Sequence, residues 1–256
     1  MFPPSIDKKK SYKQDVLERL VHIEDKINSI IDNGRKDVDR YAKRTWSQNG
    51  EDIVIWNKFQ EIGIEKPTYL DMGANHPYEI SNTALFYENG CRGVNIDANP
   101  NNMILFEQCR PEDINICCGV GAIETIMPFY MIDERSGRNS FIKENVEEFV
   151  NDNTDFEITE VREIPVKRIQ TILDECNDGK MPDYVSIDIE GMEYEVLKTM
   201  DLDNNGPIMI TVEVQKKHQE RSAPIIKLME EGGYSLFFAV GSNYTFIKND
   251  SLQGQS

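Results

Sequence analysis

Three features of the chain predict an α/β fold: a mostly parallel sheet with an antiparallel C-terminal hairpin, preceded by an N-terminal helical extension. Short apolar runs alternate with amphipathic segments from Thr68 onward, so successive strands need crossover connections and pair in parallel. Near the C-terminus the pattern changes to "YSLFFAVGSNYTFIK", two apolar runs joined by a turn signal. Before all of this, Tyr12 to about Arg44 has the composition of an exposed helix.

Within that first segment Val16, Leu20, Ile23, Ile27 and Ile30 recur at alternating steps of four and three, a heptad seam that Asn33 and Gly34 interrupt after little more than two heptads. It fits a dimerising helix pair or a helix laid on its own domain about equally well. Next, "DIVIWNKFQEIGI" reads as a helix that closes at Gly63. The strand candidates are Thr68 to Asp71, Gly93 to Asp97, Ile114 to Cys118, Tyr184 to Asp188, Ile208 to Val214, Ser235 to Val240 and Tyr244 to Ile247. The helical segments between the first five are Glu79 to Asn89, Asn101 to Cys109, Arg168 to Cys176 and Gly191 to Met200. A region from about Ile123 to Pro165 interrupts the alternation, with strand-like "TIMPFYMI" and "FEITEVREIPV" around a helical "SFIKENVEEFV". The expected organisation is a helical extension over residues 1–45, a main α/β domain over 46–250 with its insertion at 123–165, and a polar tail over 251–256.

Composition removes several function classes. At 256 residues and 39% hydrophobic, the chain can bury a full core. A balance of 28 basic to 45 acidic residues, net charge −17, repels nucleic acid and anionic lipid. Five cysteines without a C-x-x-C pair and three histidines suggest neither a disulfide framework nor zinc. With no long apolar run and no signal-like start, a cytoplasmic protein without a membrane span is expected.

In open parallel sheets, ligands bind beyond the carboxyl ends of the strands. The first strand ends in Asp71-Met72-Gly73-Ala74-Asn75, where Gly73 allows a tight turn and close approach to a ligand. The second ends in "VNIDANP", which puts Asp97 about 25 residues later, the place of a carboxylate that accepts hydrogen bonds from ribose hydroxyls. One glycine where the dinucleotide fingerprint has three provides poorly for the pyrophosphate of NAD and favours a nucleoside ligand without phosphate. An NAD-dependent oxidoreductase, or a non-catalytic binding or assembly protein, stands as the alternative.

Three blocks in order, "SQNGED" at Ser47 to Asp52, "YLDMGANHP" followed by "SNTALFYENGCRGVNIDANP", and "YVSIDIEGMEYEVL" at Tyr184 to Leu197, resemble the FkbM family of S-adenosylmethionine (SAM)-dependent methyltransferases. The resemblance covers roughly Ser47 to Ile247. It implies a Rossmann-like class I methyltransferase fold with a seven-stranded sheet, SAM as cofactor, and methyl transfer to a hydroxyl, often on a sugar or secondary metabolite. It further implies that Asp71, Gly73, Asn75, Asp97 and Ala98 surround the cofactor, with Asp97 on the ribose. Ser81, Asn82 and Thr83 would bind the amino-acid carboxylate, Cys118 and Gly119 would flank adenine, and Gln48 and Asp52 would cover the ligand.

Methyl transfer to oxygen needs aligned donor and acceptor and removal of the hydroxyl proton. Candidate bases are His76 after the glycine turn, His218 after the fifth strand, and Asp188 at the end of the fourth. His22, on the first helix, reads as solvated. Asp188 could instead orient the sulfonium end of the cofactor. Glu190 and Glu213 are candidate substrate-binding acids, whereas Glu193 fits a helix N-terminus without chemistry. Asp188, Glu190, Glu213 and His218 together could ligate Mg²⁺ or another divalent ion, which the spacing does not require. In the insertion, Arg135 and Arg138 of "DERSGRNSF" would suit a phosphorylated or nucleotide-linked small-molecule substrate, or form an ordinary solvated loop.

Overall fold

The structure, a computed structural model, describes Lys26 and residues 42–214 and 222–252. The heptad seam, His22 and His218 therefore lie outside the described residues. The chain divides into two units, Met1–Arg44 and Thr45–Ser256. Every element below belongs to the second.

A seven-stranded sheet forms its centre, in the order β3-β2-β1-β7-β8-β10-β9. Strands β1 (Tyr69–Met72), β2 (Gly93–Asp97), β3 (Ile114–Cys117), β7 (Tyr184–Ile187) and β8 (Met209–Glu213) are parallel neighbours. The final pair, β9 (Tyr234–Val240) and β10 (Asn243–Lys248), is antiparallel, with β10 seated between β8 and β9. The expected hairpin is thus present, and its second strand is inside the sheet.

Burial on both faces explains why β1 and β7 are buried at every position. Alternate side chains of β1 serve two layers. Leu70 and Met72 join Val94, Ile96, Val185 and Ile187 in the larger core. Tyr69 joins Phe86, Tyr184 and the helix Glu51–Glu61, whose Ile55 and Phe59 are fully buried. Phe86 stacks on Tyr184 with centroids 5.2 Å apart. Burying an aromatic side chain of this kind contributes about 1.5–3 kcal/mol.

Asp71, also facing this layer, is made tolerable by a polar network. It accepts a hydrogen bond from Thr83 Oγ1 at 2.7 Å. Arg110, with no exposed surface, donates to Thr83 Oγ1, Ser81 Oγ and the Pro77 carbonyl. This is the reason the segment Glu79 to Asn89 is helical only over Ala84–Glu88. Ile80 takes a left-handed φ of 51°, and the hydroxyls of Ser81 and Thr83 serve Arg110 and nearby backbone amides.

The insertion supplies most of a second sheet, order β4-β6-β5, whose short first strand precedes it. Here β4 (Gly119–Val120) runs parallel to β6 (Glu160–Lys167), and β5 (Thr125–Met131) pairs antiparallel with it. Between β5 and β6 lies the helix Lys143–Asp152. Gly191 to Met200 is helical only over Glu193–Leu197. An additional helix, Ser222–Glu231, precedes the hairpin; the four-residue spacing of its buried Ile225 and Met229 was its sequence signal. Among the described residues, no helix is long and apolar enough to cross a membrane.

Candidate active site

The strand order reverses at β1 and β7, because the chain leaves them toward opposite edges of the sheet, and a crevice opens beyond their carboxyl ends. Gly73 turns the chain there at φ 78°. Its amide and that of Ala74 donate to the Ile96 carbonyl at 2.9 and 3.0 Å, tying the turn to β2. A β-carbon on Gly73 would lie 1.6 Å from the Asp188 carbonyl oxygen. Only glycine fits.

Asn75, at φ 53°, donates its amide to Asp97 Oδ2 at 2.9 Å. Asp97 Oδ1 accepts from the Asn99 amide at 2.7 Å and from Asn102 Nδ2 at 3.3 Å. Burial pushes the Asp97 carboxyl above the ordinary carboxylate range, and the backbone amides of Asn99 and Asn75 oppose that shift. Asn99 also caps the helix Pro100–Cys109 by accepting from the Asn101 amide, so the carboxylate is held by a helix start as well as a strand end.

These groups line a cleft of about 280 Å³. Asp97 and Ala98 stand on one side; Cys118, Gly119 and Val120 follow beyond β3; Phe129 and Phe141 of the insertion form an aromatic wall, with centroids 4.9 Å apart. Gly119 is packed so closely that a β-carbon would meet the Phe141 ring at 2.6 Å. A second cavity of about 420 Å³ adjoins the first, sharing Gln48, Arg138, Ser140, Glu190 and Glu213 and continuing to Asn145, Phe149 and Gly241.

Asp188, Glu190 and Glu213 converge in this region, each with a ligand-capable oxygen within 4.8 Å of the other two. Burial, and then the nearby Glu213 charge, drive the Asp188 carboxyl well above its usual range. Glu190 takes φ 55°, its carbonyl held by Asn145 Nδ2 at 3.1 Å. Glu213 accepts from Ser242 Oγ at 2.9 Å. Glu193 accepts from the Ile189 and Gly191 amides at 3.1 and 2.9 Å, so it fixes the turn that carries Glu190.

Of the residues singled out in the sequence, Gln48, Gly73, Asn75, Asp97, Ala98, Cys118, Gly119, Arg138, Asp188, Glu190 and Glu213 line the cleft. Asp71, Ser81, Asn82 and Thr83 do not. Asp71, Ser81 and Thr83 are buried in the Arg110 network, and Asn82 Nδ2 donates to Ser186 Oγ at 3.1 Å. His76 also stands outside the cleft; its Nδ1 accepts from the Tyr78 and Glu79 amides at 3.1 and 2.8 Å, so that nitrogen holds a turn. Arg135 is exposed and lines neither cavity. Asp52 is buried and accepts from Thr45, Trp46 and Ser47, tying down the segment that carries Gln48. Sequence reasoning missed Asn99, Asn102, Phe129 and Phe141; "NP" before an amphipathic run was a readable helix start for Asn99.

The strand order and the crevice define the Rossmann-like fold of class I methyltransferases. The family described as Methyltransferase FkbM domain matches residues 71–236, about two thirds of the chain, and the protein belongs to that family. Among solved structures, a methyltransferase FkbM from Methylobacillus flagellatus is similar at 13% identity over 72% of this chain, with a TM-score of 0.44. This chain spans 44% of that one. A precorrin-6y C5,15-methyltransferase from Geobacter metallireducens is 15% identical, covering 82% of this chain and 94% of its own, with a TM-score of 0.37. A TehB-like SAM-dependent methyltransferase from Corynebacterium glutamicum is 12% identical, covering 89% and 98%, with a TM-score of 0.40. No curated protein matches.

Proposed function

We propose that the protein is a SAM-dependent O-methyltransferase acting on a hydroxyl of a carbohydrate, or of a nucleotide-linked or phosphorylated small molecule, in surface-glycan or secondary-metabolite synthesis. One observation carries the reading: the ribose-type carboxylate Asp97 and the acid cluster around Asp188 line the same cleft, and that cleft opens into a second cavity at Glu190 and Glu213.

The cleft fits the cofactor in kind. Gly73 brings bare backbone to the turn, Asp97 presents a carboxylate to a diol, and Cys118 to Val120 with Phe129 and Phe141 form an apolar slot suited to a base. When bound, the cofactor supplies an electrophilic methyl group. The protein orients the acceptor, and an ionised carboxylate at the junction accepts its hydroxyl proton as a general base. In the second cavity, Asn145, Ser242 and Phe149 are groups that hydrogen-bond and stack on sugar rings, and Arg138 lines both cavities as a cation suited to phosphate. Five unpaired thiols fit a reducing, cytoplasmic setting. Self-association through the N-terminal seam belongs to the same proposal; truncation before Arg44 would abolish it and leave catalysis.

The test is calorimetry with S-adenosylhomocysteine on wild type and Asp97→Ala, followed by transfer of isotope-labelled methyl to a panel of sugars, sugar nucleotides and sugar phosphates. Binding lost in the variant and label recovered on oxygen are expected. Label on nitrogen or carbon would sink the O-methyl assignment, and an absence of binding by wild type would sink the cofactor assignment.

A further inference from the structure

We infer that Asp188, Glu190 and Glu213 form a binding site for one hard divalent cation of the Mg²⁺, Mn²⁺ or Ca²⁺ type. Two independent observations meet here. The first is the convergence of three carboxylates from three separate places, the end of β7, the turn after it and the end of β8, with one oxygen from each inside a 4.8 Å span. Three oxygens at that spacing are within reach of a single ion.

The second concerns a single atom. Asp188 is partly exposed on the cleft, but its Oδ1 is sealed from solvent with no hydrogen-bond donor. Buried polar atoms are nearly always satisfied, and an orphaned carboxylate oxygen beside two further carboxylates lacks a cation or a proton. The donor set is oxygen alone, without the nitrogen or sulfur that selects zinc or copper, so it points to the hard divalent metals. The surroundings hold the ligands in place. Asp188 is fixed by its backbone contact with Gly73, Glu190 by the Glu193-bound turn and by Asn145, and Glu213 by Ser242.

The cation's chemical role rests on the methyl-transfer reading, whereas the site itself rests only on the geometry. Placed where the two cavities join, a divalent ion would ligate an acceptor hydroxyl, lower its pKa and stabilise the alkoxide left when the proton passes to solvent.

The probe is Mn²⁺, titrated into chelator-stripped full-length protein and followed by loss of the free-ion electron paramagnetic resonance signal. Wild type should bind one tight equivalent, with affinity reduced at least tenfold in Glu190→Gln and in Glu213→Gln. In parallel, calorimetry in excess chelator should show that both variants still bind S-adenosylhomocysteine, which also establishes that they are folded. Asp97→Asn should retain the Mn²⁺ site. No tight site in wild type, or equal Mn²⁺ affinity in the variants, would overturn the inference; the latter would mean that scattered surface carboxylates bind the ion and that Asp188 holds a shared proton. Wild type that binds Mn²⁺ but no S-adenosylhomocysteine would instead refute the cofactor reading and leave the cation site standing.

Discussion

Gly73 and Asp188 meet backbone to backbone: a β-carbon on Gly73 would fall 1.6 Å from the Asp188 carbonyl oxygen. The contact joins the ends of β1 and β7, so it sets the position of the acid relative to the Gly73 turn. Gly73→Ala has no room, and its φ of 78° is strained for any L side chain. We expect a loss of more than about 3 kcal/mol of stability, or a displaced Asp188 with loss of S-adenosylhomocysteine binding. Thermal unfolding and calorimetry separate the two; a variant with wild-type melting and binding would disprove the packing.

On the proposed cofactor reading, Asp97→Asn removes a charged acceptor from a ligand diol. Hydrogen bonds to charged groups contribute about 1.5–3 kcal/mol, so S-adenosylhomocysteine affinity should fall by roughly 10- to 100-fold. Because burial raises the Asp97 pKa above the ordinary 3.8, ribose binding, which needs the ionised form, should weaken on acidification while ordinary aspartates are still charged. The sign for the unliganded fold is opposite. A raised carboxyl pKa gives a relative stability that is complete below the unfolded value and lost as pH rises through the folded one. Affinity and melting profiles of wild type against Asp97→Asn check both trends, and parallel profiles would refute them.

Arg110 is a buried cation whose partners, Ser81, Thr83, Asn95 and the Pro77 carbonyl, define the segment beside the cleft. Arg110→Ala leaves Asp71 without that nearby charge and should cost about 3–5 kcal/mol in chemical denaturation. Lysine, lacking the fork of donors, should not restore it. A loss under about 1 kcal/mol would mean that the network is dispensable.

Arg135 and Arg138 differ in place, since only Arg138 lines the cavities. Arg138→Ala should raise the acceptor KM about tenfold, near the value of one exposed charge-assisted contact, while Arg135→Ala leaves it unchanged. Steady-state kinetics with an identified acceptor decide, and a larger effect from Arg135 would reverse the assignment.

Much of the fold was legible because its signals are local. Apolar runs of strand length, crossovers between them and the turn between Val240 and Asn243 depend on residues close in sequence. So do Gly73 and Asp97, because a tight turn and an acid ending a strand are both readable from neighbouring residues. Roles that depend on distant partners were not legible. Ser81 and Thr83 look like ligand hydroxyls in sequence, yet a cation nearly thirty residues later uses them. His76 looks like a base, yet its Nδ1 serves its own turn. Likewise, nothing in the spacing of Asp188, Glu190 and Glu213 fixes their convergence, which depends on β7 and β8 lying side by side. Periodicity records which face a residue takes along its own strand or helix; which groups meet across elements is decided only when the sheet packs, because burial assigns each polar atom the nearest partner available in space.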